Sequence, residues 1–258
     1  MITYRLLNSY KEIAHFCTTR NGGTSVGNYA SNNLSPFSGD DFVHFSTNRN
    51  HLVELLGSEC QQIVIPFQNH GTEIRVIDDA FLELSNDQKN DYLNGVDAIF
   101  TELSGICIGI TTADCVPLLF YDPEKRVIAA AHAGWRGTCG RIAEKTIAAL
   151  IEKYGCRTED IRVVIGPSIS AEVYEAGKEV VGNFEAAGFD ITKIVTERNN
   201  ALYLDLWKAN QLSLNEIGIQ NNHIETAGIC TFTEHEKYFS ARRLGIKSGR
   251  MLSGIMLK

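Results

Sequence analysis

The alternation of apolar and polar residues predicts a chain whose middle is rich in strands. Short runs of Val and Ile between polar or glycine-containing turns are typical of strands. Such runs occur at 63–67, 74–77, 98–101, 106–112, 116–121, 127–132, 161–165 and 250–257. Apolar residues that recur every three or four positions predict helices instead, at 47–56, 138–154, 177–187 and 205–217.

The helix predicted over 138–154 has the clearest end signals, because Thr138 can cap its start and Gly155 supplies a stop. Helices interspersed with strands favour a layered α/β or α+β fold, with mixed sheets and flanking helices. We find no internal repeat, low-complexity tract or long linker. We therefore expect one domain over residues 1–258.

Composition narrows the classes of function. Hydrophobic residues make up 44% and charged residues 21% of the 258 positions, as in ordinary globular proteins. A net charge of -7 argues against a protein that coats nucleic acid or an anionic membrane. Residues 1–17 have scattered charges and no continuous apolar region, and the most apolar stretch, 106–121, is interrupted by Asp114, so we expect neither a signal peptide nor a membrane span. Seven cysteines, an odd number, favour unpaired thiols and a cytoplasmic location.

Three chemically capable side chains lie where predicted strands end. His70 lies in a polar turn, Cys115 follows an acidic residue inside an apolar region, and His132 ends a strand before a glycine-containing turn. Loops at strand ends commonly carry functional groups. Two histidines and one thiolate are a ligand set typical of catalytic zinc, since they leave a fourth position open.

Each of these residues also has a simple packing interpretation. A free cysteine on an apolar strand is usually a buried packing group, and a single histidine more often packs than binds metal. The three positions are far apart in the chain and match no short-range ligand pattern such as CxxC or HExxH. Residue chemistry alone therefore leaves open whether they share one site.

Three motifs resemble those of a known family, the YfiH or laccase-domain proteins, whose members carry the names polyphenol oxidase and purine nucleoside phosphorylase. These motifs are Gln68-Asn69-His70-Gly71, Ala113-Asp114-Cys115-Val116-Pro117 and His132-Ala133-Gly134-Trp135-Arg136-Gly137. Further similar blocks are Thr18-Thr19-Arg20-Asn21-Gly22-Gly23, Asn48-Arg49, Ile165-Gly166-Pro167, Tyr174-Glu175, Asp205-Leu206, Cys230-Thr231, Phe239-Ser240-Ala241-Arg242-Arg243 and Gly249-Arg250. The resemblance implies that His70, Cys115 and His132 bind one zinc ion. The chain departs from the family at Asn69, where Val is common, and at 168–172, which puts the shape of the substrate pocket in question.

The same resemblance implies a reaction. Family members cleave the glycosidic bond of adenosine, inosine or S-methyl-5'-thioadenosine with inorganic phosphate, and they also deaminate adenosine. Zinc suits the deamination, because it activates water for attack on C6 of adenine. A copper-dependent polyphenol oxidase would need His-x-His pairs, and none occurs among the seven histidines, so copper is not expected. A non-catalytic, zinc-stabilised module in cell-wall quality control stays open, as do the preferred nucleoside and the oligomeric state.

The remaining candidates are one acid and several cationic or amide side chains. Asp114 has three open roles: proton transfer, orientation of a ligand histidine, or a buried structural acid. Strand alternation places it opposite Cys115 unless the chain kinks there. Guanidinium groups match phosphate oxygens, and Arg20 is the leading phosphate candidate because Gly22 and Gly23 lie beside it. The full prediction assigns catalysis to Asp114, Arg20 and Arg243, and substrate contacts to Arg20, Asn48, Arg136, Arg242 and Arg250.

Overall fold

The computed structural model describes all 258 residues, Met1–Lys258. Its twelve strands are β1 Ile13–Cys17, β2 Gln62–Val64, β3 Ile74–Val76, β4 Ala98–Thr101, β5 Ile106–Thr112, β6 Val116–Asp122, β7 Val127–Ala133, β8 Arg162–Ile165, β9 Val195–Arg198, β10 Ala201–Leu204, β11 Ile224–Thr226 and β12 Met251–Leu257. Its nine α-helices are α1 Phe42–Leu56, α2 Asp79–Glu83, α3 Asn86–Leu93, α4 Trp135–Cys139, α5 Ile142–Tyr154, α6 Lys178–Ala186, α7 Ile191–Ile194, α8 Leu206–Glu216 and α9 Ala241–Leu244. None of the helices is both long and apolar enough to span a bilayer.

Two mixed sheets form the centre of the fold. The smaller has the strand order β1-β12-β5-β2 and the larger has the order β11-β8-β6-β7-β4-β3, while β9 and β10 pair separately. Strand β7 lies antiparallel to β6, with His132 opposite Pro117. Strand β12 lies antiparallel to β5, with Met251 opposite Thr112. These pairings bring the ends of β5, β6 and β7 towards one edge of the molecule.

Side-chain alternation along the strands builds four layers. In β7, Ala129 and Ala131 pack towards helices α5, α6 and α8, whereas Ile128 and Ala130 pack towards the smaller sheet. The far face of the smaller sheet packs on α1 through Leu52. The order is therefore helix, sheet, sheet and helices in one domain, which confirms the predicted layered fold. The polar end of the layer between the two sheets is where the candidate site lies.

The predicted elements match the central strands closely and differ elsewhere. Helix α1 begins at Phe42 instead of residue 47, because the side chain of Asp41 accepts a hydrogen bond from the Val43 amide and caps it. The capping role predicted for Thr138 is wrong. Thr138 lies inside the short helix α4 and its hydroxyl donates to the Ala133 carbonyl. The stop at Gly155 is confirmed, with a left-handed φ of 66°.

A left-handed residue explains why the predicted helix is divided. Arg141, with φ of 62°, separates α4 from α5. Its guanidinium is held by Glu144, Glu216 and the Ala187 carbonyl, so the contacts of this side chain compensate for the unfavourable backbone conformation.

Candidate metal centre

The structure brings the three predicted ligands together at one end of the layer between the sheets. His70 lies in the loop between β2 and β3, Cys115 in the turn between β5 and β6, and His132 near the end of β7. Their donor atoms all lie within 4.8 Å of one another. The two imidazole rings meet nearly perpendicularly, with centroids 4.8 Å apart. Residues far apart in sequence thus form a single cluster.

Two left-handed residues turn the chain into the cluster. His70 has φ of 67° and Asp114 has φ of 84°, so the chain kinks directly before Cys115. The side-chain amide of Gln68 fixes the first loop to β5, because it donates to the Thr111 carbonyl and accepts from the Thr111 amide. The local backbone is therefore held in the geometry that the cluster requires.

Asp97 supports the cluster and was missed by sequence reasoning. Its buried carboxylate accepts hydrogen bonds from His132 Nδ1 at 2.8 Å, from the His70 amide at 3.1 Å and from the Gly71 amide at 2.7 Å. A carboxylate on one ring nitrogen leaves the other nitrogen of the imidazole available to a metal. The signal that could have revealed it is an acid placed directly before the fully buried strand β4.

The cluster favours an ionised thiol. Burial by itself opposes ionisation of Cys115, but the neighbouring His132 and hydrogen bonds from both histidines lower the pKa of the thiol to about 6. Burial likewise opposes charge on His132, yet Cys115 and Asp97 raise its pKa to about 9. Each of these two groups therefore favours the charged form of the other.

The donor set fits a zinc ion. Two imidazole nitrogens and a thiolate are common zinc ligands, and three of them leave one position open. Space is kept by Gly134, since a Cβ atom there would lie 3.1 Å from Cys115 Sγ and 3.3 Å from a His70 ring carbon. The hydrogen bond that His132 Nδ1 donates to Asp97 completes an arrangement common among metal sites. His70, Cys115 and His132 can therefore hold a metal with one face open to a ligand.

That open face meets a cavity of about 460 Å³. Its wall includes the three cluster residues, the hydroxyl-bearing Thr112, and two cationic side chains, Lys247 and Arg250. Phe37, Phe67 and Ile246 also line it, and all three are substantially exposed at its mouth. The cavity thus combines a polar floor with an apolar rim, as small-molecule sites commonly do.

Asp114 does not contact a ligand histidine. One carboxylate oxygen accepts from the Thr231 hydroxyl at 2.7 Å, and the other accepts from the Ser240 hydroxyl at 3.0 Å and the Arg242 amide at 2.7 Å. Both oxygens thus accept hydrogen bonds from segments that pack against the Cys115 turn. Of the three roles considered, these contacts match the buried structural acid.

Arg20 and Asn48 lie outside the cavity wall. The Arg20 guanidinium donates to the carbonyls of Ala30 and His235 and stacks on the Phe239 ring. Asn48 is buried, and its amide group bonds to Thr24, Ser25, Ser31 and Asn33. The structure therefore directs the polar atoms of Asn48 into the loop that follows β1, whereas those of Arg20 are shared between that loop and the segment around His235.

The other arginines are divided between the cavity and its surroundings. Arg250 lines the cavity, and burial lowers its pKa, although most of its donors are directed at the Ser248 and Ile246 carbonyls. Arg243 donates to the Phe232 carbonyl. Arg136 stacks on its neighbour Trp135, and Arg242 lies over the Tyr174 ring. Of the predicted substrate contacts, the structure brings only Arg250 to the cavity wall.

Comparison with known proteins identifies the family. The sequence model of the family described as multi-copper polyphenol oxidoreductase laccase matches residues 14–258. The chain belongs to this laccase-domain family. A purine nucleoside phosphorylase of Bacteroides thetaiotaomicron is 45% identical over 100% of this chain and 96% of its own length. Adenosine deaminase RL5, from an unknown prokaryotic organism, is 39% identical over 97% of this chain and 96% of its own.

A solved structure extends the likeness to the fold. The hypothetical protein YfiH of Bacillus licheniformis superposes with a TM-score of 0.90 and 31% sequence identity, covering 96% of this chain and 94% of that one. The expected YfiH resemblance is thereby confirmed over nearly the whole laccase domain.

Proposed function

We propose that this chain is a zinc-dependent purine nucleoside phosphorylase that acts on adenosine, inosine and S-methyl-5'-thioadenosine and also deaminates adenosine. The observation that carries the proposal is the cluster of His70, Cys115 and His132, supported by Asp97, at the floor of a small-molecule cavity. Relatives that cover almost the entire chain carry the names purine nucleoside phosphorylase and adenosine deaminase. The substrates would be a purine nucleoside and inorganic phosphate.

Zinc is the metal that the donor chemistry supports best. Thiolate and imidazole together suit zinc. The cavity wall includes no methionine of the kind found in blue-copper sites, and the chain has no His-x-His pair. A zinc ion would supply Lewis-acid activation of water or substrate at its open position. In this chain, Asp97 keeps the His132 ring in the orientation and tautomer needed for ligation.

Phosphate binding would fall to cationic groups at the cavity. Phosphorolysis needs an anion held near C1′ of the ribose. Lys247 and Arg250 line the cavity and supply positive charge there. Asp114 would act indirectly, by holding the segment that leads to Arg242 against the Cys115 turn.

The description of the family suggests a second candidate function, that of a copper-dependent phenol oxidase. It predicts stoichiometric copper in the purified protein and oxygen consumption with phenols. The zinc proposal predicts about one zinc per chain and no phenol oxidation. Elemental analysis of protein purified without added metal separates these two outcomes.

The decisive experiment for the reaction is product analysis with adenosine, in the presence and absence of phosphate. Chromatography resolves adenine, inosine and hypoxanthine. The proposal predicts adenine formation that needs phosphate and inosine formation that does not. Absence of all three products at physiological phosphate would instead favour a non-catalytic, zinc-stabilised module.

A further inference from the structure

Thr112 carries a buried hydroxyl without a partner at the cavity floor. The residue is 1% exposed, its Oγ1 makes no hydrogen bond, and it lines the cavity. Its neighbour Thr111, by contrast, donates its hydroxyl to Gln68. Buried hydroxyls in proteins nearly always find a partner. An orphaned one in the wall of a ligand cavity therefore points to a partner on the ligand.

The orientation of Thr112 follows from strand alternation in β5. Ile108 and Ile110 pack into the layer between the sheets, so Thr112 faces the same layer. In β7, Ile128 and Ala130 face that layer too, which places His132 on the same side. Thr112 and the cluster thus share the floor of one cavity.

Other polar groups of the wall already have partners. Both ends of the Gln68 amide bind Thr111. The Ser35 hydroxyl accepts from the Phe37 amide, and the Ser38 hydroxyl donates to the Ser35 carbonyl. Among the neutral polar side chains of the cavity, Thr112 is the one whose hydroxyl makes no hydrogen bond at all.

The mouth of the cavity suits a flat apolar face. Phe37 and Phe67 meet edge to face with centroids 5.0 Å apart, and they are 46% and 43% exposed. Ile246, on a separate loop, is 82% exposed at the same cavity. Aromatic faces bind planar bases well. A purine resting on this rim would direct one polar edge towards the floor.

We propose that Thr112 reads position 6 of the purine base while Phe37 and Phe67 hold its face. This inference rests on the proposed function, because deamination requires C6 to face the metal cluster at that floor. A hydroxyl both donates and accepts, so it can accept from the 6-amino group of adenosine or donate to the 6-oxo group of inosine. One residue thereby allows both nucleosides and disfavours a base that lacks a 6-substituent.

The test uses three nucleosides: adenosine, inosine and purine riboside, which lacks a 6-substituent. In zinc-loaded Thr112→Val, kcat/KM for phosphorolysis of adenosine and inosine should fall about tenfold, the loss expected of one hydrogen bond. The value for purine riboside should stay unchanged. Thr112→Ser, which keeps the hydroxyl, should retain the preference of the wild type. Phe67→Ala should raise KM for all three nucleosides by a similar factor.

Two readouts distinguish the failure of this inference from the failure of the proposed function. Zinc content and thermal unfolding are measured in every variant, so structural damage would be detected directly. Such damage would also lower kcat/KM for all three nucleosides. Calorimetric binding of inosine and purine riboside without phosphate reports selectivity even when turnover is absent. If the wild type binds these nucleosides but does not convert them, the proposed function is wrong while the role of Thr112 in binding can still be tested. Equal losses on all three ligands in Thr112→Val, or no change at all, overturn the role of Thr112.

Discussion

The cluster of His70, Cys115 and His132 and the loop around Arg20 are both rich in polar side chains, but their polar atoms point in different directions. In the cluster, donor atoms of three residues converge on one another, and one supporting carboxylate fixes their orientation. In the loop, the donors of Arg20 end on the carbonyls of Ala30 and His235. Donor atoms that converge on one another at the wall of a cavity indicate a ligand, whereas donors paired with backbone carbonyls indicate support of the backbone.

Removing a cluster ligand should give the largest effect. Cys115→Ala or His132→Ala should lose the roughly one zinc per chain expected of the wild type, because three ligands leave none in reserve. Elemental analysis after gel filtration measures this. Cys139→Ala, which removes a thiol outside the cluster, is the matched control and should keep its zinc. Retention of full zinc by both ligand variants would disprove the site.

Changing the supporting acid should weaken the site without abolishing it. Asp97→Asn keeps the size of the side chain but removes the charge that orients His132, so zinc affinity should fall about 10- to 100-fold. Competition with a chromogenic chelator measures the affinity. Asp114→Asn is the comparison, because Asp114 bonds to Thr231, Ser240 and the Arg242 amide. Asp114→Asn should lower the unfolding temperature and leave the zinc affinity close to that of the wild type. A loss of zinc affinity larger in Asp114→Asn than in Asp97→Asn would contradict these assignments.

Sequence patterns predicted the centre of the fold better than its edges. Strands β5, β6 and β7 are buried at every residue and stand out as apolar runs. Strand β1 was missed because His15 interrupts it, and β9 is mostly exposed, so its sequence carries little hydrophobic signal. Residues of ordinary propensity form strands there because neighbouring strands pair with them.

The candidate site also combines residues that the sequence predicted with residues that it did not. Family motifs predicted that His70, Cys115 and His132 share one site, but motifs alone do not show which partner each polar atom takes. Arg20 was predicted to hold phosphate because glycines lie beside it. Its guanidinium instead donates to the carbonyl of His235, 215 positions further along the chain, and no local motif indicates that contact. Asp97 was missed because its partners, His70 and His132, come from other segments. The cytoplasmic location stays a prediction.

A cationic residue at the cavity should affect the phosphate requirement selectively. Lys247 lines the cavity, so Lys247→Ala should raise the KM for phosphate about five- to tenfold in adenine formation from adenosine. Deamination needs no phosphate and should change little. Rates across a phosphate titration measure both activities, and Lys237→Ala, whose ammonium pairs with Glu234 instead, is the control. A parallel fall of both activities would remove Lys247 from the phosphate site.

Arg20→Ala should have the smallest effect on catalysis. If Arg20 held phosphate, its loss would reduce phosphorolysis by roughly ten- to a thousandfold and would reduce deamination less. Its observed contacts lead to another expectation, because its donors satisfy the Ala30 and His235 carbonyls and its charge lies over Phe239. Loss of these hydrogen bonds to partly buried carbonyls should lower the free energy of unfolding by about 1–3 kcal/mol. At temperatures where the variant is folded, phosphorolysis and deamination should either both be unchanged or fall by the same factor. Thermal unfolding, zinc content and the phosphate titration together measure this. A selective rise in the KM for phosphate, with stability intact, would return the phosphate role to Arg20 and would show that the loop rearranges when the substrate binds.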